Sequence, residues 1–336
     1  MTLKSILILA FIGYVISSCS HDDLDVDVSN VKVKTAFINL DSILIHSSPS
    51  ELLTYHDQFE TNITSIYSYQ VGYCLQIGQV HDTAFVNSIN QFKEDKGIIG
   101  IENSIHDQFK NLESHKLKII NGLKHLKYHF PEGIIPTNIV FMNSLFNSNS
   151  FSTEKEIGIG LERYLGYENE MVKKLPSEPF YDWIKKAMDV QYLERDALCN
   201  WIITHYMTEI DGTLAEQMIY WGKILYLTEA SFPDMDKNII LRYNASQYKW
   251  AIDNEAKFWK HLVDEKLLFK NNGLEKANLL NEGPFTIGLP EESPDRLGQF
   301  LGWKIVKNYM GKVDASLEEL LKTPYNTILQ EYEIED

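Results

Sequence analysis

Two glutamates and an arginine occupy the positions best suited to acid–base chemistry or ligand binding: Glu216, Glu255 and Arg296. Glu216 stands near the start of the segment from Thr213 to Thr228. The apolar residues there, among them Leu214, Met218, Ile219, Trp221, Ile224 and Leu227, leave no clean polar face. A helix apolar all round is buried, so its few polar groups, Glu216, Gln217 and Lys223, must be terminal, paired or functional. Thr213-Leu214-Ala215-Glu216 also has the pattern of a capping box, in which the glutamate returns a hydrogen bond to the Thr213 backbone. Capping is therefore favoured over catalysis for Glu216. Glu255 lies on the apolar stripe of the helical segment Ser246 to Lys266, three or four residues from Ala251, Ile252, Phe258 and Trp259. A carboxylate there must be paired or protonated, and an ion pair is favoured over a catalytic role. Ser293-Pro294-Asp295 reads as N-cap, N1 proline and first-turn acid of a further helix. Arg296 follows it, placed to clamp a carboxylate such as Glu216 or Glu255.

Other chemistry is sparse. His125 and His129 have the i, i+4 spacing that presents two imidazoles on one helix face. The intervening Leu126-Lys127-Tyr128 offers no acid, and no second cluster of His or Cys lies nearby. No metal site is expected, and no cofactor. Cys74 and Cys199 are isolated thiols without a His or Lys neighbour, which reads as small buried residues. There is no nucleophile elbow, phosphate-binding loop or zinc-ribbon spacing.

The frame that must position these residues is mixed. Alternation over Val31 to Leu40 predicts a strand, as do the branched residues of Ile135 to Phe141 and Glu156 to Leu165. Ser48-Pro49-Ser50-Glu51 opens a helix, and a long helical stretch from Ile101 to His129 is stopped by Pro131. From Asp182 the pattern is helical almost to the end, broken near Gly212, Pro233, Gly273, Pro284 and Pro294. Gly298 and Gly302, four residues apart in a helix, cost about 1 kcal/mol each relative to Ala, so another backbone is expected to approach closely there. No Ser/Gly linker divides the chain. The expected fold is α+β, a predominantly helical single domain over residues 31–336 with a small central sheet.

Composition narrows the partners. The 336 residues carry 31 Lys and Arg against 47 Asp and Glu, a formal charge of −16, without the basic stripe a nucleic acid requires. With 44% hydrophobic residues the chain can bury a large core, and three Cys exclude a disulfide scaffold. The N-terminus is an address. Lys4 precedes an uncharged run from Ile6 to Ile16, eleven residues and too short to span a bilayer. The run ends in Ile16-Ser17-Ser18-Cys19, which resembles a bacterial lipobox. Residues 1–18 are then a lipoprotein signal peptide and Cys19 carries the lipid, with several acyl chains anchoring the protein to a membrane. Residues 19–30, rich in Asp, read as a solvated acidic tether. A similar acidic run in some Bacteroidota lipoproteins resembles a sorting signal to the cell surface.

Four stretches together resemble the GldB family, the gliding-motility lipoproteins of Bacteroidota. They are Gly158 to Gly166 (GIGLERYLG), Gln217 to Leu227 (QMIYWGKILYL), Asn254 to Trp259 (NEAKFW) and Ser293 to Trp303 (SPDRLGQFLGW). The resemblance implies a cell-envelope lipoprotein that acts with other gliding-motility envelope proteins and with type IX secretion and adhesin movement. The same helical core is distantly similar to predicted zinc proteases of the zincin type, in which one helix carries His-Glu-x-x-His. On that pattern Ala215 and Ile219 stand where the two His belong, Glu216 is the acid, and Glu255 falls near the third ligand. Without imidazoles the site cannot form a tetrahedral zinc shell, which implies a non-catalytic pseudo-enzyme. The alternatives are a residual hydrolase using Glu216 and Glu255, and a surface-exposed capture lipoprotein.

Overall fold

A computed structural model describes residues 24–77 and 85–334. The lipidation expected at Cys19 and the signal peptide before it lie outside the described residues. The tether does not extend to residue 30: Leu24 and Val28 are only 4% and 7% exposed. Their apolar side chains are worth more in the core than in water, so the globular part begins by Leu24, between acids that face solvent.

The sheet has the strands β1 Ala36–Asn39, β2 Asn138–Met142, β3 Ser150–Ser152 and β4 Glu156–Gly160, in the order β1-β2-β4-β3. β1 pairs β2 and β2 pairs β4 in parallel, with Ala36 opposite Asn138 and Asn138 opposite Glu156; β3 closes the edge antiparallel. The segment before β1 alternates in exposure as the sequence predicts, yet pairing starts only at Ala36, whose N–H donates to Thr137 O. Pro136 stands opposite the missing part of the ladder and has no N–H to offer. The strand expected over Glu156 to Leu165 ends at Gly160 and becomes a 3₁₀ turn at Leu161–Tyr164, which swings Glu162 inward. Side chains alternate across β2. Ile139 and Phe141 join the large C-terminal core, whereas Val140 and Met142 join a smaller core on the opposite face. One sheet thus serves two helical layers within a single predominantly helical α+β domain.

The crossover from β1 to β2 holds α1 Leu40–His46, α2 Pro49–Asn62, α3 Thr64–Ser68, α4 Phe85–Glu94, α5 Lys96–Gln108 and α6 Leu112–His129. The single helix expected over Ile101 to His129 is two, because Phe109 turns into the core and Asn111 takes the N-cap position of α6. After the sheet come α7 Glu170–Lys173, α8 Asp182–Lys186, α9 Leu193–Tyr206, α10 Leu214–Ser231, α11 Lys237–Ile240 and α12 Ala245–Asp264. The chain ends with α13 Gly273–Leu280, α14 Leu297–Met310, α15 Leu317–Lys322 and α16 Tyr325–Gln330.

The central helix is α10, whose apolar circumference is covered by α6, α9 and α14. Its closest neighbour is α14, and glycines on both sides allow it. A Cβ on Gly302 would lie 1.9 Å from Met218 O, and one on Gly222 would lie 2.2 Å from Gly302 O. The expected close approach at Gly302 is therefore real, with Gly222 as its counterpart. The fully buried Glu229 locks the same pair of helices: it accepts from Trp303 Nε1 at 2.6 Å and Lys307 Nζ at 2.6 Å on α14, and pairs Lys237 Nζ at 2.8 Å.

Candidate functional site

The three residues favoured by sequence are not brought together. Glu216 is a capping residue, its Oε2 accepting from Thr213 N–H at 2.7 Å and Thr213 Oγ1 at 3.0 Å. Its helix neighbours Ala215 and Ile219 are core residues. Glu255 is ion-paired to Lys304 Nζ at 3.3 Å and accepts from Tyr332 OH at 2.8 Å, in a cleft beside α14. Arg296 does clamp carboxylates, but they are Asp295 and Glu282 and not Glu216 or Glu255. Nor does Ser293-Pro294-Asp295 start the helix. α14 begins at Leu297, with Arg296 at the N-cap position in a left-handed conformation, φ 54°. The reason is long-range: Thr286 supplies the cap, its hydroxyl accepting from Leu297 N–H at 3.4 Å and donating to Pro294 O at 2.7 Å. Asp295 is instead spent on Arg296 and on Gly283 N–H.

His125 turns its Nδ1 onto Asn121 O of its own helix, and burial with the neighbouring His125 pushes the His129 ring down to about 4. Among the described residues no group of three or more His, Cys, Asp or Glu is arranged to hold a metal. Cys74 and Cys199 are free and buried, and burial pushes the Cys74 thiol up to about 11.

The residues that do converge are arginines. Of the 31 Lys and Arg in the chain only four are arginine: Arg163, Arg195, Arg242 and Arg296. All four line one cavity of about 380 Å³. They come from four places: the turn after β4, the first turn of α9, the residue two past α11, and the start of α14. Trp183, Ile184, Ile203 and Trp221 form apolar wall, and Asn149, Asn200 and Gln299 add amide groups.

Asp196 on α9 organises the floor and is itself buried. Its Oδ1 meets Arg195 Nη1 at 3.2 Å and Arg242 Nε at 2.9 Å; its Oδ2 accepts from Tyr164 OH at 3.0 Å and Asn149 Nδ2 at 3.3 Å. Burial, and then the Asp196 charge, hold the Tyr164 phenol well above its ordinary range, so it stays a donor. Arg296 is fixed by Asp295, with Nε to Oδ2 at 3.0 Å and Nη2 to Oδ1 at 3.0 Å. Burial opposes the Arg296 charge, but Asp295 and then Glu282 more than offset it and hold its pKa above the ordinary value.

Two features distinguish this cluster from a closed structural network. First, Arg242 and Arg296 both have left-handed backbones, φ 56° and 54°. Each such residue costs about 1–3 kcal/mol and persists only where the surroundings enforce it. The Tyr192 ring lies 4.9 Å from the Arg242 guanidinium and the Tyr243 ring 5.8 Å from that of Arg296. Tyr243 OH donates to Asp295 O at 2.6 Å. Second, Arg163 has no carboxylate within ion-pair distance among the described residues; its Nη1 reaches only Phe146 O at 3.4 Å, and its Nε is buried without a partner. Burial, partly offset by Glu162, depresses its pKa, and Arg242 adds to the depression.

The sequence model of the family described as gliding motility protein GldB matches residues 21–334. The chain belongs to the GldB family. Searches of curated proteins and of solved structures gave no match. Three of the four GldB-like stretches contribute to the cavity: Arg163 from the first, Trp221 from the second, Arg296 and Gln299 from the fourth. Arg195, Asp196 and Arg242 were missed by sequence reasoning. The available signal was the scarcity of arginine against a lysine background, since a planar five-donor fork is not interchangeable with an ammonium. As a member of a gliding-motility lipoprotein family the protein is assigned to the cell envelope, and no helix among the described residues is long and apolar enough to cross a membrane.

Proposed function

We propose that this GldB-family chain is a lipid-anchored, non-catalytic component of the gliding apparatus, linked to type IX secretion and adhesin movement, and that its recognition site is the arginine cavity. The gliding role rests on the family match, and the observation that carries the recognition site is the convergence of all four arginines on one cavity, a constellation suited to holding an anionic group. The case against hydrolysis rests on residue types. The positions that a zincin would fill with imidazoles hold Ala215 and Ile219, packed in the core, and the Glu216 carboxylate is engaged in a helix cap. That helix is then the relic of a zincin-type ancestor. The anchor is the lipid on Cys19, which attaches the domain to an envelope membrane beside the other gliding proteins.

The test is genetic. A deletion strain is expected to lose surface spreading and adhesin movement, and an Arg163→Gln allele made at wild-type level is expected to reproduce the loss. Normal gliding in the deletion strain would sink the assignment. In a residual hydrolase Glu216→Gln abolishes function; in a non-catalytic binding protein it leaves gliding intact.

A further inference from the structure

We propose that the arginine cavity is a receptor site for a doubly charged oxyanion, a phosphate monoester or a dicarboxylate on a small, partly apolar body, and that Glu282 is the internal stand-in which such a ligand displaces. The inference rests on the cavity being the recognition site and adds what it recognises.

The donors show where the anion sits. Asp196 takes Nη1 of Arg195 and the Nε of Arg242, Ile240 O takes the Arg195 Nε, and Asp295 lies along one edge of Arg296, accepting from its Nη2. The remaining termini, Arg242 Nη1 and Arg296 Nη1, both point at one oxygen, Glu282 Oε1, each at 3.5 Å. Charge-assisted N–H···O bonds close to about 2.7–2.9 Å when built for one another, so both contacts are slack. Glu282 is moreover 56% exposed, free to swing into solvent without desolvating anything. Arg163, the fourth guanidinium of the cavity, has no acid at all within ion-pair distance among the described residues, and its buried Nε lacks an acceptor. A network kept only for stability would pair that group, because desolvating an unpaired guanidinium is costly.

Charge decides the valence. Four guanidinium charges are set against the carboxylates in contact with them, buried Asp196 and Asp295 and the exposed Glu282; Glu162 acts on Arg163 only from a distance, its carboxyl turned to Ser144 and the Phe146 N–H. When Glu282 swings out, the carboxylates in contact supply two negative charges against four positive, which matches a dianion; a monocarboxylate would leave one positive charge over. Arg163 lines the same cavity as the converging termini of Arg242 and Arg296, and donors from three guanidinia suit a group with three peripheral oxygens or two carboxylates. The indoles of Trp183 and Trp221 and the side chain of Ile203 give the ligand body an apolar wall. The cavity, at about 380 Å³, is of the size that takes a small molecule and not a polymer.

The experiment titrates detergent-solubilised full-length protein at pH 8 and about 0.15 M salt with phenyl phosphate, succinate and benzoate, followed by calorimetry. At least one dianion is expected to bind with Kd below about 1 mM, with benzoate at least about tenfold weaker. The tighter of phenyl phosphate and succinate identifies the source of the charge. Arg163→Gln, which strands no acid, is expected to weaken that dianion by at least about tenfold, the scale of one lost charged hydrogen bond. Glu282→Gln, an exposed change that disturbs no core, is expected to tighten it several-fold. Absence of dianion binding at Kd below about 1 mM, benzoate binding as tightly as the dianions, or a Glu282→Gln protein no tighter than wild type would each overturn the proposal. Dianion binding lost in Arg163→Gln, in a strain that still glides, would leave the receptor standing and remove only its role in motility.

Discussion

Gly302→Ala is the substitution for which local and tertiary effects pull in opposite directions, so the sign of its effect tests the packing. In an isolated helix the change stabilises by about 1 kcal/mol. Here the new Cβ would lie 1.9 Å from Met218 O and 2.6 Å from the Met218 carbonyl carbon, and the obstacle is the backbone of a buried helix with no rotamer to change. The α10–α14 spacing must grow by about 1 Å or more to reach an ordinary contact. Overpacking of this kind costs about 1–3 kcal/mol, and the upper part of that range applies because both walls are main chain. Separation also stretches the 2.6 Å bonds from Trp303 and Lys307 to buried Glu229, which lie along the same interface. Weakening charged hydrogen bonds there adds about 1 kcal/mol or more. The net expectation is a loss of about 2–3 kcal/mol after the propensity gain, read as a lower urea midpoint at unchanged m-value and a Tm lower by about 2 °C or more per kcal/mol. Gly273→Ala is the internal control. Nothing lies within 4 Å of its added Cβ, so it should be neutral or stabilising by up to about 1 kcal/mol. A Gly302→Ala protein as stable as wild type would refute the close backbone contact and with it the reason for glycine at both positions.

Three further outcomes are expected. Asp196→Asn leaves Arg195 and Arg242 facing an uncharged amide inside the protein and should cost about 3–5 kcal/mol; a loss in urea unfolding of under about 1 kcal/mol would show that the floor of the cavity is solvated. Glu162, buried behind β4, has its carboxyl pushed up to about 7 by burial, although Ser144 and the Phe146 N–H act to lower it. Its stabilising contribution is full below about pH 4.5 and is lost as pH rises through 7. Glu162→Gln should therefore gain about 3 kcal/mol relative to wild type between pH 4 and pH 8, and parallel midpoint-versus-pH curves would count against it. Cys19→Ala is expected to abolish acyl labelling and release the protein from membranes, and label that persists on this variant would disprove lipidation at that thiol.

Elements with a local cause were legible in the sequence. The helix start at Ser48-Pro49-Ser50-Glu51 and the capping box at Thr213/Glu216 form as read, α12 spans Ala245–Asp264 as its stripe requires, and Gly302 meets another backbone. What failed had a distant cause. Ser293-Pro294-Asp295 has every local mark of a helix start, yet Thr286 outcompetes Ser293 for the cap because the loop after α13 places a hydroxyl against Leu297 N–H. The candidate site failed in the same way. Glu216, Glu255 and Arg296 were chosen for their positions on helices, but hydrophobic periodicity gives the face of a residue and not which other faces it meets. Nothing in the local sequence marks Arg195, in the first turn of α9; only the fold makes it part of a cluster with partners 32, 47 and 101 residues away in sequence.

The overall charge bears on the cavity in a way that neither shows alone. A chain of formal charge −16 repels anions at long range, and a screening length of about 8 Å at physiological salt confines that repulsion to the approach. Inside the cavity the guanidinia act over a few ångströms, in partly desolvated surroundings where screening is weak. Association and retention of an anion should therefore respond to salt in opposite senses: added salt lowers the approach barrier and quickens binding, while it competes for the arginines and speeds release. An unfocused basic patch behaves differently, since salt then slows association as well. Stopped-flow rates for the tighter dianion at two ionic strengths decide between these cases. A rate constant for binding that rises with salt means the arginines act as an enclosed site within an acidic surface; one that falls steeply means the charge is displayed at the surface, where Glu282 alone could not mask it.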